Sequence, residues 1–195
     1  ARHVRNAHRQ ATNVKDDEGV PMHVLAKEAR GSSRKMDGAV ASVLSWECRG
    51  DAIAAGATVK VVSPESSEVK GWKHTEWGDT FPIDVPLVDA RPSDFDALLL
   101  PGGVMNPDKL RIDKRALAFV GHFVGTRKPI AAICHGPWTL IETDGVKGRT
   151  VTSYPSIRSD LVNAGASWID KEVVVDHGLV TSRKPDDLEA FNRKM

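Results

Sequence analysis

Apolar and polar positions fall into alternating blocks along residues 51–195, and the blocks predict strands and helices in turn. A helix end over Asp51–Gly56, with Gly56 as its C-cap, leads into Ala57-Thr-Val-Lys-Val-Val-Ser63, a strand rich in β-branched residues. Between Pro64 and Pro92 no helical period is sustained, which predicts short strands and loops. Ala97-Leu-Leu-Leu100 is a buried strand running into Pro101-Gly-Gly103. Asp113 then caps a helix in which Leu117, Val120 and Val124 form one apolar line, beside a second of Ala116, Phe119 and Phe123. Arg127 and Lys128 suit the end of that helix, and Pro129 stops it. Ile130–Ile133 is a continuous apolar run, the mark of a strand covered on both faces, and a helix follows to about Glu142, where Asp144-Gly145 turns the chain. Thr150–Ser153 is a short strand, and Ser156 caps a helix whose Ile157, Leu161 and Ala164 share a face closed by Gly165. Val173–Val175 and Leu179–Thr181 flank Asp176-His-Gly178 as a hairpin, and Asp186 opens a last helix through Leu188 and Phe191.

Strands alternating with helices predict one α/β domain with a mainly parallel central sheet. In open sheets of that kind the site lies beyond the carboxyl ends of the strands. Cys134 stands at such an end, before Gly136 and Pro137, and proline suits the first turn of a helix. A strand-to-helix corner brings the sulfur near free N–H groups and a positive helix end, which favour the reactive thiolate. The competing account is an inert cysteine packed in the core. His135 is either the base or a donor of its backbone N–H to an oxyanion. Gly102 and Gly103 allow close approach to the backbone, as an oxyanion hole requires, or form only a tight turn. His122 and His177 read as surface residues. Trp72, His74 and Trp77 form either an aromatic wall over a ligand or the cover of a core edge.

Composition narrows the choices. A chain of 195 residues is long enough for one well-buried core and short for two, so residues 1–195 are expected to form one domain. Lys and Arg number 27 against 26 Asp and Glu, which argues against a nucleic-acid partner. The basic start of the chain (Arg2, His3, Arg5, His8, Arg9) is therefore read as a solvated terminus rather than a binding arm. Residues 1–50 carry the weakest pattern, with a short apolar patch at Val24–Ala26, a loop-like Gly31–Lys35 and an aperiodic apolar run at Val40–Leu44. The two cysteines, Cys48 and Cys134, make no disulfide framework and suit a reducing cytoplasm. No apolar run reaches the roughly 18 residues of a membrane helix, and no signal peptide is apparent, so no membrane partner is expected. The seven histidines lack ligand spacing, so neither metal nor cofactor is expected. A nucleotide-binding module is disfavoured by the absence of G-x-G-x-x-G and of a P-loop.

Six segments together are similar to the PfpI family of the class I glutamine amidotransferase-like superfamily. They are Asp96–Gly103, Ala132-Ile-Cys-His-Gly-Pro137, Thr152–Pro155, Asn163–Ala166, Glu172–Asp176 and Thr181–Leu188, ordered and spaced as in that family over about residues 51–195. The resemblance implies a flavodoxin-like three-layer sandwich, a nucleophile at Cys134, His135 in the site, and oxyanion stabilisation by the backbone around Gly102, Gly103, His135 and Gly136. It further implies that an acidic residue in the loop Val104–Lys109, here Asp108, reaches the site of a neighbouring subunit and orients the histidine. A homo-dimer or higher homo-oligomer follows from that. By itself Asp108 reads as a helix-capping or solvated carboxylate. One departure stands out. The family opens with Asp-Gly-Phe-Glu, whose glutamate contacts the cysteine sulfur. This chain has Asp37-Gly-Ala-Val40, and Glu28 and Glu47 lie off that spacing.

The activity implied is that of a cysteine hydrolase acting on small carbonyl-modified substrates or peptides, as a deglycase, glyoxalase or intracellular peptidase, in stress protection. The alternative is a non-catalytic redox-sensing or chaperone-like stress protein whose cysteine is oxidised to the sulfinic acid.

Overall fold

The computed structural model describes residues 52–54, 56–73 and 76–195, those at 72, 73 and 76–78 by their backbone alone. The basic start, the patches at 24–26 and 40–44, Cys48, and the departure at 37–40 lie outside the described residues, as do the side chains of Trp72, His74 and Trp77.

The central sheet is built from β5 (Leu98–Leu100), β6 (Ile130–Ile133), β10 (Leu179–Ser182) and β9 (Val173–Asp176), side by side in that order. β5, β6 and β10 run parallel, and β9 closes the edge antiparallel. Along β6 the apolar residues divide by the two-residue period of a strand. Ala131 and Ile133 enter one core with Leu99, Val180 and Phe191, and Ile130 and Ala132 enter another with Leu100, Phe119, Phe123, Leu140 and Leu161. A strand buried on both faces needs a layer on each side, which is why the run carries no polar alternation. Those layers are α2 (Lys114–Thr126), α3 (Pro137–Ile141) and α4 (Arg158–Asn163) on one face and α5 (Leu188–Asn192) on the other. The expected α/β architecture, three layers with a mainly parallel sheet, is the one observed.

Local signals account for most boundaries. Asp113 caps α2 by accepting from the N–H groups of Arg115 and Ala116. The β9–β10 hairpin turns through His177 (φ 48°) and Gly178 (φ 79°), two left-handed residues whose twist matches paired strands.

Four expectations are corrected. Within 57–63 only β1 (Val62–Ser63) joins a ladder among the described residues, parallel to β4 (Val85–Pro86). Residues 64–92 hold a longer hairpin than expected, β2 (Glu68–Lys73) with β3 (Glu76–Pro82), its register shifted between Lys70 and Trp72. The strand expected at 150–153 is limited to β7 (Thr150–Val151), which pairs with β8 (Ser167–Trp168). Val104–Lys109 is not a loop, because Met105–Leu110 winds into the short helix α1.

Candidate active site

Cys134 sits one residue past the end of β6 with φ 62°, the left-handed region that L residues enter at a cost of order ~1 kcal/mol or more. The surroundings hold it there. Its N–H donates to the Ser182 carbonyl at 3.0 Å, and its own carbonyl accepts from the Tyr154 N–H at 2.9 Å. Gly136 folds back so tightly that a Cβ there would stand 2.7 Å from the Leu100 oxygen, 3.0 Å from that of Ile133 and 3.1 Å from that of Pro101. Gly102 passes so close that a Cβ would lie 2.5 Å from Cys134 Cβ and 3.4 Å from its Sγ. Both glycines are required by space rather than by dihedral angle.

The sulfur lies 3.3 Å from His135 Nδ1. Both residues are 7% exposed, so the pair sits just under the surface. Burial holds the imidazole below its ordinary pKa, because the charged ring loses water there. Tyr154 stacks on the ring at 5.0 Å, and Trp138 meets it edge-on at 5.5 Å. Trp138 is itself fixed, its indole N–H donating to Asp160 at 2.6 Å while the Arg111 guanidinium lies 5.3 Å over its ring. Arg111 is anchored in turn by Glu142. The outer nitrogen, His135 Nε2, lies 3.0 Å from Ser156 Oγ.

Cys134, His135 and the backbone of Gly102 and Gly103 are therefore brought together. The N–H groups of Gly103 and His135 have no acceptor among the described residues. Gly136 is different. Its N–H donates to the Ile133 carbonyl at 2.9 Å and closes the turn, so it is not an oxyanion donor, and its part is steric. Asp108 is exposed on α1, and its carboxylate has no partner among the described residues.

Sequence reasoning missed Tyr154, Ser156, Trp138 and Asp160. Trp138 was within reach, since it follows His135 by three residues at the start of a helix, the spacing that brings side chains together. The others come from a segment about 20 residues further on: Tyr154 in a loop, Ser156 in a 3-10 turn and Asp160 on α4.

A cleft of about 300 Å³ opens beside the corner, lined by Tyr154, Pro155, Asp170, Arg183 and Lys184. Tyr154 joins it to His135, and Arg183 and Lys184 directly follow the strand end whose carbonyl holds Cys134. Arg183 donates to Asp187 at 2.9 and 3.0 Å and to Asp170 at 2.6 Å, and these bonds raise its pKa further. Among the described residues no group of histidines, cysteines and carboxylates is arranged to hold a metal ion.

A three-layer α/β fold with a cysteine on a strained strand-to-helix corner and a histidine at its sulfur defines a class of cysteine-centred proteins. The chain belongs to the DJ-1/PfpI family, whose model matches residues 39–195 and so reaches into the stretch where the sequence pattern is weakest. It is 52% identical over 140 residues to the Bacillus subtilis (strain 168) protein named "Putative cysteine protease YraA", covering 72% of this chain and 80% of that one. An uncharacterized Staphylococcus aureus (strain Mu50) protein, SAV1875, is 49% identical over 140 residues, covering 71% of this chain and 79% of its own. Among solved structures, Drosophila melanogaster DJ-1beta superposes with a TM-score of 0.63 at 31% identity, over 71% of this chain and 73% of that one. An Anabaena variabilis protein with DJ-1/ThiJ/PfpI-like and ferritin-like domains gives a TM-score of 0.65 at 37% identity over 71% of this chain, which spans only 39% of that two-domain protein.

Proposed function

We propose that this protein is a cysteine-dependent hydrolase acting on small carbonyl-modified groups or on peptides, as a deglycase or an intracellular peptidase. The observation that carries the reading is the 3.3 Å approach of His135 Nδ1 to a sulfur held on a left-handed corner. In the first step the Cys134 sulfur forms a bond to the substrate carbonyl carbon. The π pair moves onto the oxygen, and the thiol proton passes to His135 Nδ1. The N–H groups of Gly103 and His135 are suited to receive that oxyanion. With a peptide, the adduct collapses by expelling the amine, which takes the proton from His135. Water then cleaves the thioester and regenerates the thiol. The cleft at Tyr154, Arg183 and Lys184 is the place for the rest of the substrate.

Asp108 enters this reading through a second copy of the chain. Exposed on α1, it is available to a neighbouring molecule in a homo-dimer or higher homo-oligomer. Turnover of methylglyoxal-modified amino acids and of a peptide, with Cys134→Ala as control, tests the proposal. Loss of turnover in the variant supports it, and equal turnover in both proteins removes it. Peroxide treatment followed by mass spectrometry separates the redox-sensing alternative, which requires a stable sulfinate at Cys134 in a protein without turnover.

A further inference from the structure

We infer that Ser156 is a positioning residue for His135, holding the outer ring nitrogen so that the inner one faces the Cys134 sulfur. This deepens the hydrolase reading and rests on Cys134 and His135 working as a pair.

A neutral imidazole carries one proton and one lone pair, and the base needs its lone pair on Nδ1, the nitrogen 3.3 Å from Sγ. Its proton must then sit on Nε2, and the one hydrogen-bonding group at that nitrogen among the described residues is Ser156 Oγ, 3.0 Å away. Among the described residues the ring has no other polar anchor, and its remaining contacts are the faces and edges of Tyr154 and Trp138. Those contacts fix the plane of the ring, yet a half-turn about its axis would keep them. The Ser156 bond distinguishes the two orientations.

A hydroxyl also does something a carboxylate cannot. It accepts from Nε2–H while Nδ1 takes the thiol proton, keeps accepting once the ring is imidazolium, and rotates to donate if Nε2 loses its proton. It adds no negative charge. The groups around the ring are the Cys134 thiol, the Tyr154 phenol, the Trp138 indole already bound to Asp160, and Ser156 itself. The charged Arg111 stands behind Trp138, and Asp170, Arg183 and Lys184 stand across Tyr154 in the cleft. Among the described residues of one chain none of these places a carboxylate on the imidazole, and burial favours its neutral form, the one that accepts a proton.

Ser156 is exposed, so replacing it leaves the core intact. The test is the rate at which iodoacetamide alkylates Cys134, read by mass across the pH range in the folded protein. Ser156→Ala is expected to slow alkylation about three- to tenfold, the worth of one neutral hydrogen bond, and Ser156→Thr to restore it. Ser156→Asp is expected to move the acid limb of the profile upward by about one pH unit, since a carboxylate favours the imidazolium. In a His135→Ala background, Ser156→Ala should change nothing further. A wild-type profile for Ser156→Ala, or an undiminished effect without His135, overturns the inference. Because alkylation needs no substrate, these effects in a protein that hydrolyses nothing would uphold the role of Ser156 while the hydrolase reading failed.

Discussion

The corner that carries Cys134 and the rim that faces it are made of different material. At the corner the restraints on the backbone, among the described residues, are main chain: the Ser182 carbonyl on the cysteine N–H, the Tyr154 N–H on its oxygen, and three backbone oxygens crowding Gly136. At the rim the restraints among the described residues are side chains, from Trp138 and Tyr154 on the imidazole to Ser156 at its outer nitrogen and Arg183 between two carboxylates. Backbone atoms cannot step aside, whereas side chains rotate. The sulfur is therefore placed in an all-or-none manner, and the base and substrate cleft can be tuned by degrees.

Substitutions should respect that division. The largest effect is expected for Gly136→Ala, whose Cβ would meet the Leu100 oxygen at 2.7 Å with no flexible group to give way. A loss of about 3 kcal/mol or more is expected, read as a lowered urea midpoint or as insoluble protein. A wild-type midpoint would show that the corner is soft. Gly102→Ala is next, because its Cβ would press on Cys134 Cβ at 2.5 Å and displace the nucleophile. A fall in kcat of about 100-fold is the measured consequence expected of a displacement near 1 Å. At the rim, Arg183→Ala leaves the Asp187 carboxylate, 7% exposed, without its guanidinium. Because Arg183 is itself partly open to water, the cost is set at about 2 kcal/mol, below that of a fully buried pair, and is measured by urea unfolding.

The smallest effect is pH dependence. Burial places the folded-state pKa of His135 below its ordinary 6.5, so the unfolded chain binds the proton first as pH falls. The contribution to stability is whole above pH 6.5, declines as pH drops from there through the folded pKa, and levels off below it. Unfolding free energies should fall by no more than about 1.4 kcal/mol per pH unit from this one proton, and His135→Gln should remove the decline. A decline equal in both proteins would assign it elsewhere.

The same division explains what could be read from the sequence. Ile130–Ile133 announced a strand covered on both faces, and Cys134-His-Gly-Pro137 announced its corner, because both depend on neighbours in the chain. Asp113 as a cap and the turn at His177-Gly178 are local in the same way. Ser156 was misread for the opposite reason. A hydroxyl ahead of an apolar period predicts an N-cap, but a 3-10 turn over Pro155–Ile157 places Ile157 at the cap of α4 and leaves Ser156 Oγ to a histidine 21 residues earlier. Gly136 failed as an oxyanion donor because its N–H is consumed in the turn, which residue type does not reveal. Asp108 was placed in a loop by the family resemblance, yet Met105–Leu110 is the helix α1, with Pro107 in its first turn, where proline is tolerated.

The central claim is that the main chain presents a reactive sulfur beside a histidine. Peptide mapping after brief treatment of the folded protein with iodoacetamide tests it most directly. The account predicts modification of Cys134 without denaturant, at a rate that falls about tenfold or more in His135→Ala. Modification of Cys134 only after unfolding in urea would contradict it.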